Sequence, residues 1–476
     1  MTVLVIGAGP AGLAAALAAV ERGQPVTLLD ASDDVGGQYW RHLPEARPSD
    51  NEAVLHHGWS TFVAMRERLA RTRCEIVTSA HVWAIDHEGV HVVVGDADGT
   101  NRERRTYRAD AIVVATGAFD RVLPVPGWDL PGVFSAGGAQ ALAKGERVSV
   151  GRRVLVAGAG PFLFPVAVAL LQGGSTVVGV LEASRMRRMA SGWATRPWEL
   201  AGARAKIPEV ARYAYELARH RVPYSMGRAV TAIHGDERVE SVTTAAVSAT
   251  WAPIAGTDRN VAVDAVCLGH GWTPRLELAI ALGCQLTDRR FVAIDENQRT
   301  SVEHIYAAGE ITGIGGVDLA LAEGTIAGHV AAGGQLDDAA IRPTRVRRAT
   351  WRRFAVRLDA AHGIGEQWSE WLRDETVVCR CEEVTVARLR SVANETQSKG
   401  LRSLKLTSRA GLGICQGRVC GRTIESLWGS FAGGGGLNDG VITDRRPVAL
   451  PVRLGELRVD AKDAGTDERA SRQRSS

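Results

Sequence analysis

The first thirty residues limit the fold more than any other stretch. Thr2 to Asp30 reads TVLVIGAGPAGLAAALAAVERGQPVTLLD: a short apolar run, a glycine turn, an Ala/Leu-rich helix ended near Gly23, and a second apolar run closing on an acid. This is a βαβ unit with the dinucleotide fingerprint between strand and helix. Gly7 permits the tight turn, Gly9 lets a pyrophosphate approach the backbone, and Gly12 lets the helix pack close to the sheet. The helix start at Pro10 and Ala11 offers free N–H groups and the positive end of the helix dipole to a diphosphate. Asp30, twenty-three residues beyond Gly7, accepts hydrogen bonds from an adenosine ribose and repels a 2′-phosphate, so FAD or NAD fits and NADP does not.

The chain then runs through Gly36, Gly37, Gln38 and Arg41, a turn from which Gln38 and Arg41 can reach a diphosphate or an isoalloxazine edge; the alternative is a surface loop. Helical spacing covers Glu52–Thr72, and alternating runs over Cys74–Val94 predict a meander of strands, with the backbone of Val82 at the adenine. Ala111–Gly117 (AIVVATG) predicts a buried strand that brings Thr116 and Gly117 beside the first nucleotide.

A second copy of the opening unit starts at Arg153 (RVLVAGAGPFLFPV), and this internal repeat predicts an α/β flavoprotein with two nested Rossmann-like dinucleotide folds. The copy is degenerate. Gly158 and Gly160 are kept, but Leu163 occupies the third position, where it either pushes the helix off the strand or fills the phosphate space. Glu182 ends the second strand as an acid should, followed by Arg185, Arg187 and Arg188, read as a solvated basic loop in preference to a phosphate site. A second nucleotide there, or an empty pocket, stays open. Trp193, Trp198, Tyr213 and Tyr215 are expected in core or interface. A third nucleotide element, IYAAGEITGIGG, places Gly309 and Glu310 at a strand end, where a carboxylate can bind a ribityl hydroxyl and the next helix aims at the flavin pyrimidine.

Residues 342–357 carry seven arginines, with Trp351 and Phe354 at helical spacing, and read as an amphipathic helix lying on its own protein. Of seven cysteines, Cys379, Cys381, Cys415 and Cys420 crowd into the last quarter. Two close pairs of thiolates enclose either zinc or a [2Fe-2S] cluster. The CxC spacing departs from the CxxC of zinc ribbons, and a flavin gives a one-electron centre a reason to be attached, so the cluster is favoured. Gly411, Gly413, Gly417 and Gly421 let backbone N–H groups near the sulfides, and Arg380 and Arg418 offset cluster charge. The expected divisions are 1–125 with 270–335 for FAD, 126–269 for the degenerate fold, 336–375 as helical linker, 376–450 as an α-rich cluster domain and 451–476 as a disordered tail. Lys plus Arg outnumber Asp plus Glu by only 57 to 53, which gives no reason to expect nucleic acid. The absence of a basic leader, of long apolar runs and of a disulfide framework predicts a cytoplasmic protein without a transmembrane segment.

Taken together, GAGPAG, GGQYWR, ATGAFDR, GAGPF, AAGEITGIGG and VVCRCEEVT with GLGICQGRVCG resemble the FAD and [2Fe-2S] subunits of hydrogen cyanide synthase, opine oxidase and hydroxyproline or proline dehydrogenase complexes. Residues 376–430 are similar to bacterioferredoxin-associated ferredoxin. The resemblance implies a heteromeric flavoenzyme whose glycine-oxidase-like, FAD-bearing partner oxidises a C–N bond of an amino acid or secondary amine, with a further electron acceptor downstream. No redox CxxC lies beside the first fingerprint, which argues against disulfide reductase chemistry. Two rivals are a self-sufficient NAD(P)H-dependent reductase and a scaffold subunit with a structural metal. No residue stands out as a catalytic acid or base.

Overall fold

Short, largely apolar runs of three or four residues build the first sheet, and its central strands are buried on both faces. β1 (Val3–Ile6), α1 (Pro10–Glu21) and β2 (Val26–Leu29) form the expected unit. The helical segment after it breaks into α2 (Glu52–Leu55) and α3 (Trp59–Ala70), because Gly58 between them takes a left-handed φ of 67°. β3 (Glu75–Val77) does not join the expected meander: it pairs in parallel with β2 and extends the main sheet. β4 (Ala80–Asp86), β5 (Gly89–Val94) and β6 (Glu103–Tyr107) make the antiparallel meander. β7 (Ala111–Val114) then returns beside β1. This computed structural model describes residues 1–44, 47, 49, 51–195, 197–396, 400–431, 446 and 448–457.

β8 (Ala118–Asp120) leads out of the first fold, and β9 (Val133–Ser135) and α4 (Ala136–Ala141) open the second. β10 (Arg153–Gly158), α5 (Leu163–Gln172) and β11 (Thr176–Glu182) repeat the βαβ unit. α6 (Met186–Ala194), α7 (Lys206–Arg219) and β12 (Tyr224–Met226) follow. A hairpin layer of β13 (Arg228–His234), β14 (Ser241–Ala246) and β15 (Arg259–Ala262) precedes β16 (Ala265–Gly269), which completes a five-stranded sheet of order β12-β11-β10-β16-β9. β17 (Trp272–Pro274) pairs with β8, so the chain leaves and re-enters the first fold side by side. After α8 (Glu277–Ala281), β18 (Ile305–Ala307) closes the first sheet in the order β18-β7-β1-β2-β3.

The next helix, α9 (Val317–Ala331), packs on α1 through backbone contact: a Cβ on Gly324 or Gly328 would lie 2.0 Å from the carbonyl oxygens of Ala11 or Ala15. Only glycine allows the two helices to come this close. α10 (Arg342–His362) is the arginine-rich helix, and it does lie on its own protein. Trp351 is buried, Arg352 pairs with buried Glu323, and Arg357 pairs with Glu199. Trp371, beyond it, stacks on Trp251 and donates its indole N–H to the Trp251 carbonyl at 2.7 Å. The last quarter comprises β19 (Val377–Cys379), β20 (Val384–Thr385), α11 (Val386–Thr396), α12 (Leu401–Ser408) and α13 (Gly421–Phe431).

The frayed tail expected from residue 451 does not begin there. Glu456 accepts from Arg102 at 2.6 and 2.7 Å, which holds residues 453–457 on the β5–β6 edge, and residues 458–476 lie outside the described residues. Of the aromatics expected in core or interface, Trp198 and Tyr215 are exposed. Among the described residues no helix is long and apolar enough to cross a membrane.

Candidate functional site

The first fingerprint is built by close backbone approach. A Cβ on Gly12 would sit 1.7 Å from the Gly7 carbonyl oxygen, and one on Gly7 would sit 2.4 Å from that of Ala115. Helix α1, strand β1 and the Ala115–Gly117 turn therefore share one point, which places Thr116 and Gly117 at the fingerprint. The Gly36–Gly37 turn covers it: Gly36 N donates to the Ala8 carbonyl at 2.8 Å, and a Cβ on Gly37 would meet Gly9 Cα at 2.8 Å. Gln38 is exposed, whereas Arg41 turns toward the second fold, where it lines a cleft of about 410 Å³ with Phe134, Ser135, Gly138 and Leu142.

Asp30 accepts from Ala8 N at 2.5 Å and from Ser32 N at 2.7 Å. A carboxylate offers about four lone-pair sites, so roughly two are left for ribose hydroxyls. The Asp30 carbonyl in turn accepts from Ala80 N, which sets the start of β4, two residues before buried Val82. Thr116 Oγ1 donates to the Arg275 carbonyl at 2.9 Å, and Arg275 N donates to Gly117 O at 3.0 Å. Arg275 escaped sequence reasoning. Its guanidinium lies 4.6 Å above the Phe119 ring, and burial lowers its pKa, with Glu277 and Asp30 acting in the other direction.

Glu310 follows β18, as the strand–Gly–acid pattern predicts. Its Oε1 accepts from Gly316 N at 2.8 Å, while Oε2 is buried without a partner among the described residues. Burial, reinforced by Glu323, pushes its carboxyl up to about 7 against the pull of the Gly316 N–H. Glu323 itself accepts from Gly309 N at 3.1 Å and from Thr312, fixing the loop. Open space adjoins the Cβ positions of Gly117, Gly313 and Gly316. An orphaned carboxylate oxygen at one end, half-used Asp30 at the other and an open glycine-lined track between them fit FAD.

The second copy is closed differently. Leu163 is fully buried in the core of its fold, and α5 begins at Leu163, the position matching Gly12, whereas α1 begins at Pro10. The lost turn is replaced by tight bonds from Leu163 N to Gly160 O and from Phe164 N to Pro161 O, both 3.2 Å. Glu182 accepts from Gly160 N at 2.7 Å and Ser184 N at 2.8 Å, as Asp30 does from its own loop, but also from the His362 ring at 3.2 Å. The stretch expected as a solvated loop is the start of α6, with Arg187 and Arg188 in its first turn, and Arg188 donates to Ala360 O at 3.4 Å at the end of α10.

In the last quarter the four late cysteines come together. Cys420 hydrogen-bonds Cys379 and Cys415, and Cys415 also pairs with Cys381, giving a chain of sulfurs. Hydrogen bonding from Cys420 pulls Cys379 down to about 6 and Cys415 to about 4, and Gly411 N donates to Cys379 Sγ at 3.4 Å. Among the described residues no three of these sulfurs lie within 4.8 Å of one another. Gly413 is required by crowding, since a Cβ there would stand 2.3 Å from Cys381 Cβ. Arg380 lies over the Trp128 ring at 5.3 Å, and Arg418 pairs with Glu277 at 2.6 Å. The Cys415–Cys420 loop is thereby held two residues from Arg275, against the first fold.

Residues 1–332 match the pyridine nucleotide-disulphide oxidoreductase family. An opine oxidase subunit of Rhizobium meliloti is 32% identical over 485 residues, covering 96% of this chain and 86% of its own. Hydrogen cyanide synthase subunit HcnB of Pseudomonas aeruginosa is 30% identical over 439 residues, covering 88% of this chain and 90% of its own. Among solved structures, L-proline dehydrogenase from P. horikoshii superposes with a TM-score of 0.64 at 20% identity, covering 96% of this chain and 80% of that one, which shows a shared fold. On these residues and these relatives, the chain belongs to the pyridine nucleotide-disulphide oxidoreductase family, as a flavin-dependent oxidoreductase related to HcnB and to the matching subunit of opine oxidase.

Proposed function

We propose that the chain is the FAD- and [2Fe-2S]-containing electron-transfer subunit of a heteromeric amino-acid or secondary-amine dehydrogenase or oxidase, acting on CH–NH or CH–NH2 groups. The observation that carries this reading is the union, in one chain, of a flavin-fitting fold and a four-cysteine module held against it through the Arg418–Glu277 pair. Bound FAD accepts electrons in pairs and releases them singly, the chemistry that gives an attached one-electron centre its use. In this reading Gly7, Gly9, Gly12 and Asp30 hold the adenosine diphosphate, and Glu310 takes a ribityl hydroxyl on Oε2. Cys379, Cys381, Cys415 and Cys420 would ligate the cluster. The CxC spacing of Cys379 and Cys381 departs from the CxxC of zinc ribbons, which favours two irons over zinc. Gly411 N–H supports a thiolate there, and the cations of Arg380 and Arg418 stand nearby.

A companion subunit that oxidises the amine is part of the proposal. α7 turns Ile207, Val210 and Tyr215 to solvent, an apolar face of the kind such a subunit covers. The degenerate second fingerprint disfavours a self-sufficient NAD(P)H reductase. The test is purification from the native source, identification of the companion, and anaerobic mixing. Flavin bleaching by an amino acid or secondary amine only when the companion is present is expected; rapid bleaching of the isolated chain by NADH or NADPH would overturn the reading.

A further inference from the structure

The second dinucleotide fold has an occupant within the chain. In the first fold Asp30 carries two backbone hydrogen bonds and, among the described residues, no side-chain partner, which leaves acceptor capacity for a ribose. In the second fold the matching acid, Glu182, carries the same two kinds of backbone bond and a third from His362 Nδ1. Both side chains of this pair are buried, at 7% exposure for His362 and 1% for Glu182. Trp193 Nε1 donates to His362 Nε2 at 3.3 Å, so the network fixes the tautomer, with the ring proton on Nδ1 aimed at Glu182.

The rest of the helix end completes the fit. Arg188, in the first turn of α6 just after the acid, donates to the Ala360 carbonyl, so a cation meets the negative end of the α10 dipole. Gly192 has no side chain where α10 passes: a Cβ there would fall 2.6 Å from Ala361 N and 2.8 Å from Ala361 Cβ. Apart from its own chain neighbours, His362 Cβ, at 3.9 Å, is the only atom among the described residues within 4 Å of a Cβ placed on Gly160, the glycine that would face a pyrophosphate. Acid, the basic residue after it and the glycine turn, the three parts by which such a fold holds the adenosine half of a nicotinamide nucleotide, thus all face the stretch from Ala360 to Gly363.

We infer that the C-terminal turn of α10 is the resident occupant of the adenosine subsite of the second dinucleotide fold. The fold excludes NAD(H) and NADP(H), and acts as the socket that seats the helix leading to the cysteine module. This goes beyond the function proposed above and does not depend on it, because a chain closed in this way could receive electrons from any donor other than a nicotinamide.

The probe is ADP-ribose, which carries the adenosine half and no hydride, titrated calorimetrically into the full-length, FAD-saturated protein. No saturable binding up to about 1 mM is expected, whereas saturable binding with a Kd below about 1 mM would overturn the inference. Amide hydrogen exchange supplies the second readout. Residues 360–363 are expected to be protected, and Gly192→Ala to speed their exchange at least about tenfold; wild-type exchange there at the rate of a free peptide would overturn it. Absence of an amine-oxidising companion would sink the partner-fed reading and leave both results untouched, since neither measurement involves electron transfer; bleaching by NADH or NADPH would count against both readings.

Discussion

Replacing Glu310 by glutamine should strengthen the FAD-free protein and weaken its hold on FAD at the same time. In the folded apo protein the carboxyl keeps its proton up to about pH 7, against 4.5 for the ordinary group, because burial and Glu323 disfavour the anion more than the Gly316 N–H supports it. The unfolded chain therefore ionises first. Apo stability from this group is complete below pH 4.5 and declines as pH rises toward and past 7, by up to about 3 kcal/mol at 1.36 kcal/mol per pKa unit. The amide of Glu310→Gln carries no charge to desolvate and keeps the acceptor for Gly316 N. At pH 8 the apo variant should gain about 1–3 kcal/mol, or about 1–4 °C in Tm for a flavin-and-nucleotide core of roughly 330 residues at about 2.1 cal/mol/K per residue.

With FAD the sign reverses. A ribityl hydroxyl donating to ionised Oε2 is a charge-assisted bond, and its replacement by a neutral one should raise Kd about 5- to 30-fold. Because binding draws on the ionised carboxylate, wild-type affinity should fall up to about tenfold between pH 8 and pH 6, while the glutamine variant stays flat. Flavin fluorescence titration at the two pH values and calorimetry of the apo forms measure both halves. Equal FAD affinity of wild type and variant at pH 8 would refute the placement of Glu310 at the ribityl chain, and a lower apo Tm for the variant would refute the raised ionisation of its buried carboxyl.

Gly12→Ala puts a Cβ 1.7 Å from Gly7 O, and purified protein should carry less than about a tenth of the wild-type flavin, since the helix must leave the sheet to relieve the clash. Arg352→Met strips the ion partner from Glu323, whose side chain is 1% exposed; with Arg352 itself partly solvated, a loss of about 1–3 kcal/mol by denaturant unfolding is expected. Trp371→Phe keeps a ring against Trp251 but drops the indole bond to its carbonyl, costing about 1–2 kcal/mol in the same assay.

What could be read from the chain and what could not divide along contact range. The fingerprint, Asp30 and Glu310 lie within local strand–turn–helix patterns, where each glycine and acid has a steric or electrostatic reason visible over a few residues. The cysteine pairs likewise announce themselves by spacing. Arg275 gave no such signal, because its place against Thr116 and Gly117 depends on β17 returning next to β8 after an entire inserted fold. β3 shares the short alternating signature of the meander, and only the sheet edge left free by β2 decides its pairing. The leucine at the third fingerprint position foretold a damaged site, yet the way it is closed rests on His362 meeting Glu182, 180 positions away. Gly324 and Gly328 read as ordinary members of an Ala-rich helix until α1 is laid across them.

The central claim, a flavin and a two-iron cluster in one polypeptide, is tested most directly by metal, sulfide and flavin analysis of the anaerobically purified chain, joined to electron paramagnetic resonance after reduction. About two irons and two acid-labile sulfides per FAD are expected, with a [2Fe-2S] signal that Cys415→Ser abolishes while flavin content holds. One zinc per chain with no labile sulfide, or iron that survives removal of Cys415 unchanged, would contradict it.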